Sequence, residues 1–328
     1  MNGMYLNVLG FLGCTLVIVF SGTRLAKYGD KIADLTGWGK AWVGLILMAS
    51  VTSLPELMTG ISSVTIIDSP DLAAGDVFGS CVFNLLILSF IDVRIQKPLT
   101  SLVKTSHLFA GLFGIILLAL SGFAIMMSDT IPNLLWISPF SLLLIVVYLF
   151  AIYGIYQFDK SSETNHGEQN KAELKKVITA YILNALLVIG AAILLPFFGE
   201  QISVQTGLGN SFFGTLFLAA STSLPELVVS IAAIRMGAFD LLVGNLFGSN
   251  IFNILILALD DIFYTKGSLF AILKKDHLDS VLIVIIMTAI VGLGLMIKPT
   301  KKFWRLSFDT LIILFLYIGL IVVLFVKK

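Results

Sequence analysis

The sequence predicts an all-α membrane protein of ten transmembrane helices, arranged as two inverted five-helix repeats with broken helices at the midplane. Three observations carry this: a composition too apolar for solution, ten apolar runs of spanning length, and a polar string that occurs twice inside those runs. Of 328 residues, 58% are hydrophobic and 12% are charged, and mean hydropathy is +1.00. Soluble domains carry about 45–50% apolar and about 25% charged residues, so a soluble enzyme is excluded. A net charge of +1 offers no basic surface for nucleic acid, and Cys14 and Cys81 alone make no disulfide scaffold. A spanning helix takes about 20 residues, which leaves no room for a large soluble domain.

The first run, Leu6 to Ser21, has no Lys or Arg before it and reads as a span rather than a signal peptide. Runs follow at about 40–66, 72–91, 106–127 and 134–157, then at 177–198, 210–234, 240–259, 278–297 and 304–326. None alternates strictly, so these are helices and not the strands of a membrane barrel. The polar segment between the two sets divides the chain into a first repeat (1–157), a linker (158–176) and a second repeat (177–328). The linker is too short for a regulatory domain and reads as a solvated tether.

Loop charge sets orientation. The loops on the side reached after the first span hold 16 of the 21 basic residues. That side is expected to be cytoplasmic, with the linker on it and both termini outside. The chain has no Asn-x-Ser/Thr sequon, which favours a prokaryotic plasma membrane.

The duplication is direct. Residues 36–57 (TGWGKAWVGLILMASVTSLPEL) match 206–227 (TGLGNSFFGTLFLAASTSLPEL), and 75–88 (GDVFGSCVFNLLIL) match 244–257 (GNLFGSNIFNILIL). An odd number of spans separates the copies, so they cross the membrane in opposite senses. Such inverted repeats place ion sites near the midplane, where broken helices meet. The layout points to alternating access.

An ionisable side chain at the bilayer centre costs about 2.5–3.5 kcal/mol on insertion scales, yet Glu56 and Glu226 both fall mid-span. Pro55 and Pro225 precede them and free backbone carbonyls one turn back. Thr52 and Ser53 share a helical face with Glu56, as Thr222 and Ser223 do with Glu226. Hydroxyls, carboxylates and carbonyls are hard oxygen donors that suit Ca²⁺ and Na⁺. A Ser/Thr-Pro pair alone is often only a kink; a glutamate in both inverted copies argues for cations. Asp76, Ser80 and Asn84 line one face of the third span, and Asn245, Ser249 and Asn253 line one face of the eighth. Gly75, Gly79, Gly244 and Gly248 between them read as close helix packing.

Taken together, the two TSLPE strings and the G-(N/D)-x-x-G-S-x-x-F-N strings resemble the α-repeats of the calcium:cation antiporter superfamily, its prokaryotic sodium/calcium exchangers above all. The resemblance implies a diamond of cation sites enclosed by the second, third, seventh and eighth helices. Glu56 and Glu226 would be central Ca²⁺ ligands shared with Na⁺. Thr52, Ser53, Thr222, Ser223, Ser80 and Ser249, with the carbonyls of Ala49 and Ala219, would serve sodium, and Asn84 and Asn253 would complete the side-chain ligands. The first and sixth spans would slide across this core. Members of the sodium/calcium branch often carry Asp at one of the positions held here by Asn84 and Asn253, and Asp76 stands where an Asn is expected; Cys81 replaces the Asn expected from the second copy, Asn250. Asp76 either moves a carboxylate one turn along the same face or caps its helix.

The expected function is secondary-active exchange of Ca²⁺ for Na⁺. Both are transported ions; no cofactor, nucleic acid or obligate protein partner is implied. Proton-coupled exchange of Ca²⁺ or another divalent cation is the alternative, and a channel or inert scaffold is a more distant one. The three histidines, His107, His166 and His277, sit in or beside loops with no nucleophile, so the chain is not expected to be an enzyme.

Overall fold

The computed structural model describes residues 2–36, 49–128, 130–159 and 171–327. In chain order the helices are α1 (Asn2–Thr36), α2 (Ala49–Thr52), α3 (Leu54–Ser62), α4 (Pro70–Asp92), α5 (Leu99–Leu102), α6 (His107–Met127) and α7 (Pro139–Asp159). Then come α8 (Lys171–Thr206), α9 (Asn210–Phe213), α10 (Ala219–Thr222), α11 (Leu224–Arg235), α12 (Phe239–Phe263), α13 (Leu269–Ile272), α14 (His277–Ile297) and α15 (Phe308–Lys327). Among the described residues, seven helices are long and apolar enough to cross a membrane. The pair α10/α11, bent by 44°, makes up to eight, and α3 and α7 are shorter apolar helices. The beginning of the 40–66 run lies outside the described residues.

α1 and α8 outrun their expected spans of Leu6–Ser21 and 177–198. Membrane thickness limits the apolar stretch, not the helix, and polar flanks continue the same backbone hydrogen bonding. The two helices pack along each other, and Lys31 pairs with Glu173 at 2.6 Å beyond the apolar stretch. Leu6, Leu9, Leu12 and Leu16 remain exposed on α1, as a lipid-facing surface requires.

α4 and α12 form the centre and are almost wholly buried. Glycine is what admits them. A Cβ on Gly79 would lie 2.6 Å from Thr215 Cα and 2.7 Å from Ala219 Cβ, and one on Gly75 would lie 3.0 Å from Gly214 Cα. α4 therefore meets the segment from α9 to α10 backbone against backbone. Gly214–Leu218 in that segment is π-helical, as is Ser63–Ile67 after α3.

The two halves also repeat in ways the letters hide. Leu134 and Ile137 bridge around Leu135 (φ 61°), and Phe303 and Leu306 bridge around Trp304 (φ 63°). Each turn is clasped by an aspartate from the other half. Asp92 accepts the Ser307 N–H at 2.8 Å and the Leu99 N–H at 2.9 Å, and it pairs with Lys302 at 3.0 Å. Asp261 accepts the Ser138 N–H at 2.8 Å, the Leu269 N–H at 2.6 Å and the Ser141 hydroxyl. Asp261→Ala orphans these donors, each costing about 1–3 kcal/mol when buried. We expect its melting temperature in detergent to fall by several degrees, well below that of an Asp276→Ala control on the loop before α14.

A second pair of cross-links joins the halves. His107 Nε2 lies 3.0 Å from Asp240 Oδ1, and His277 Nε2 lies 3.0 Å from Asp71 Oδ1. On the surface beyond α3, Lys266 pairs with Asp68 at 2.6 Å, and the carboxylate raises the ammonium pKa above its ordinary value.

Candidate cation site

Glu56 sits in the first turn of α3 and Glu226 in the first turn of α11. Proline at the second position of each helix supplies a fixed φ and has no N–H to leave unpaired there. The breaks fall on Ser53 (φ −88°, ψ 12°) and Ser223 (φ −88°, ψ 7°). Both glutamates have no exposed surface, and neither do Thr52, Ser53, Thr222, Ser223, Asp76, Ser80, Asn84, Ser249 or Asn253. These eleven side chains, and Asn245 with them, are therefore buried inside the protein on α2/α3, α4, α10/α11 and α12.

The hydroxyls do not serve the glutamate of their own copy. Ser53 Oγ donates to Glu226 Oε1 at 3.2 Å, and Ser223 Oγ donates to Glu56 Oε1 at 3.0 Å. Shared helical faces suggested local pairs; each hydroxyl instead meets the glutamate of the other copy. Ser249 Oγ also reaches Glu226 Oε1 at 3.4 Å. Thr52 Oγ1 and Ser249 Oγ lie 3.4 Å apart, as do Ser80 Oγ and Thr222 Oγ1.

The second oxygen of each glutamate is different. Glu56 Oε2 and Glu226 Oε2 are buried and have no hydrogen-bond partner. Buried carboxylate oxygens are ordinarily satisfied, so these two are what a cation would use. Among the described residues, no three acidic, His or Cys side chains gather closely enough to hold a metal by themselves. A bound ion would draw its remaining donors from hydroxyls and carbonyls. The Ala49 carbonyl accepts from Ser53 N–H at 2.9 Å and Thr52 Oγ1 at 3.2 Å; the Ala219 carbonyl accepts from Ser223 N–H at 3.0 Å and lies 3.2 Å from Thr222 Oγ1, whose single proton has a nearer acceptor in Asp76 at 2.9 Å.

Asp76 does not cap its helix. It lies in the second turn of α4, fully buried, and accepts Thr222 Oγ1 at 2.9 Å. Asn84 Nδ2 donates to Asn250 Oδ1 at 3.0 Å, and Asn250 Nδ2 donates to the Cys81 carbonyl at 3.3 Å. Cys81 thus faces the Asn250 that takes its place in the other copy. Sequence reading missed Asp260, which is buried in α12 with both oxygens unpartnered. Its signal was an aspartate at the end of the eighth apolar run where the first copy has Ile91.

Oxygen-lined broken helices buried in an all-helical membrane fold are what a membrane cation transporter presents. The model of the sodium/calcium exchanger protein family matches this chain twice, over residues 6–157 and 176–327, and the chain belongs to that family. It is a multi-pass membrane transporter rather than an enzyme, and Na⁺ and Ca²⁺ are its family's transported ions, not cofactors. It is 28% identical over 251 residues to the inner membrane protein YrbG of Escherichia coli, covering 74% of this chain and 75% of that one. It is 42% identical over 94 residues to the sodium/calcium exchanger MaX1 of Methanosarcina acetivorans, covering 27% of this chain and 26% of MaX1. Its fold is similar to that of the sodium-calcium exchanger NCX_Mj soaked with 10 mM Na⁺ and zero Ca²⁺ (TM-score 0.65, 21% identity, 97% of this chain and 99% of that one).

Proposed function

We propose that this protein exchanges Ca²⁺ for Na⁺ by alternating access, with Glu56 and Glu226 as central ligands shared by the two ions. The observation that carries the reading is the pair of orphaned, buried Oε2 atoms on glutamates whose Oε1 atoms are held by the opposite repeat. One Ca²⁺ or two Na⁺ neutralise two carboxylates; both loads together would leave excess positive charge in a low-dielectric site. An empty site leaves two charges bare and is costly to move through the membrane. The protein is therefore mobile when loaded by either ion and immobile when empty, which is what obligatory exchange requires.

In this reading Thr52, Ser53, Thr222, Ser223, Ser80 and Ser249 hold sodium beside the glutamates, with Asn84 and Asn253 as neutral ligands. The Ala49 and Ala219 carbonyls contribute once the threonine hydroxyls turn from them to an ion. Asp76, which accepts from Thr222 at 2.9 Å, would bind a cation outside this pair rather than add a third charge to it. Ten spans, in repeats 1–157 and 177–328 joined by a cytoplasmic linker at 158–176, supply the two inverted halves. The first and sixth spans, α1 and α8, would slide across this core. Loop charge supports a plasma-membrane orientation with both termini outside.

The hydroxyls favour sodium over a proton, because a proton needs no hydroxyl cage. Uptake of radiolabelled Ca²⁺ into proteoliposomes tests this directly. We expect Ser53→Ala and Ser223→Ala each to raise the Na⁺ concentration for half-maximal exchange about tenfold, the loss of one hydrogen-bond-strength ligand to a charged group. Equal losses for Ca²⁺ and Na⁺ would instead assign these hydroxyls to shaping the glutamates.

A further inference from the structure

We propose that Asp260 and Asp76 form a second cation site, outward of the glutamate pair, which takes a divalent cation on its way between the outer solution and Glu56. The side is that assigned by loop charge, and the site rests on the exchange reading above. Asp260 lies seven residues beyond Asn253 on α12, and Asp76 lies eight residues before Asn84 on α4. At 1.5 Å per residue both sit about 10–12 Å from the asparagine level. Because α4 starts where α12 ends, both displacements run the same way. Asp260 packs against Gly60, one turn beyond Glu56 on α3, and Asp76 accepts from Thr222, one turn before Glu226. With the glutamates, the two aspartates form a file from the midplane outward.

This file exists in one half only. The inner-half counterparts of Asp76 and Asp260 are Asn245 and Ile91. A matching change makes room: Gly60 on α3 stands where the other copy has Ser230. A Cβ at Gly60 would meet Asp260 Oδ2 at 2.5 Å and Oδ1 at 2.7 Å. The aspartate therefore occupies space that its neighbour has vacated. Ser63, three residues beyond Gly60, replaces Ala233 of the other copy, and its buried hydroxyl has no partner.

Both oxygens of Asp260 and Oδ2 of Asp76 are buried without a hydrogen-bond partner, and among the described residues no cationic side chain pairs with either. Packing alone does not account for them. A carboxylate costs more to bury than the Ile91 that serves the same position in the first copy. Hard oxygens from two carboxylates and a hydroxyl suit a divalent cation. Several sites in file also let an ion leave a pocket that binds it well, since each arriving ion repels the one before it.

Equilibrium binding of ⁴⁵Ca²⁺ to the detergent-purified, sodium-free protein tests the site. We expect two ions per chain, the second at least tenfold weaker. Asp260→Asn, which keeps the side-chain shape, should abolish the weaker ion. Gly60→Ser, which installs the other copy's residue against Asp260, should do the same. Glu56→Gln should remove the tighter ion and leave one. A single wild-type ion that Glu56→Gln removes, or two ions retained in Asp260→Asn, would overturn the outer site and leave the exchange reading standing. A single ion lost in Asp260→Asn and kept in Glu56→Gln would support the outer site and overturn the central one.

Discussion

Replacing either Glu56 or Glu226 by glutamine is expected to lower sodium-driven Ca²⁺ uptake by about 100-fold or more, while the protein still inserts and folds. Truncating one member of a buried charge-paired set costs about 2–5 kcal/mol. Here the loss falls on two glutamates that are each held by a serine of the other half. Glutamine keeps the shape and one acceptor oxygen, so Ser223 Oγ and Ser53 Oγ retain their partners at 3.0 and 3.2 Å. What disappears is one negative charge and one orphaned oxygen. Removing a buried charge from the membrane also relieves a cost of about 2.5–3.5 kcal/mol, so thermal stability should hold or rise as transport fails. The two variants should behave alike, because the hydroxyl contacts are exchanged symmetrically. Flux through proteoliposomes and melting temperature of the same samples check both halves of the prediction. A variant that keeps wild-type exchange would remove the central ligands from the account.

Gly79→Ala is expected to be the most damaging substitution that adds no polar group. The added methyl would meet Thr215 Cα and Ala219 Cβ at 2.6–2.7 Å. These belong to a neighbouring backbone and its shortest side chain, so no rotamer change relieves the clash and α4 must back away. Overpacking of this kind costs about 1–3 kcal/mol. It would also separate Ser80 from Thr222, now 3.4 Å apart, and widen the site. We expect a lower melting temperature and at least a tenfold loss of exchange, as one pair. Gly190→Ala and Gly319→Ala, where a Cβ meets nothing within 4 Å, are the controls and should change neither.

Much of the architecture was legible because duplication turned ambiguous apolar runs into a comparison. A single TSLPE string inside a hydrophobic helix reads as a kink; two of them, in opposite senses, point to a shared buried region. The structure buries all twelve polar side chains drawn from the two strings, Asn245 among them. What could not be read was partnership. Helical spacing tells which face Ser53 occupies but not which chain segment crosses that face, and the crossing segment turned out to carry Glu226. The turns at Leu134–Ile137 and Phe303–Leu306 share a backbone path with little common sequence, since the clasp is made to backbone N–H groups that any residue supplies. Asp260 escaped because it lies beyond the matched string, where the copies stop resembling each other. Helix lengths erred at α1 and α8 because hydropathy measures the membrane and not the helix.

The coupling ion is the point on which the whole account turns, and one measurement addresses it. Proteoliposomes loaded with Na⁺ are diluted into sodium-free medium containing ⁴⁵Ca²⁺, and into parallel media that impose a pH or K⁺ gradient instead. We expect saturable Ca²⁺ uptake driven by the outward Na⁺ gradient, abolished by collapsing it and absent from Glu56→Gln. Uptake driven equally well by the pH gradient with no Na⁺ present would contradict it.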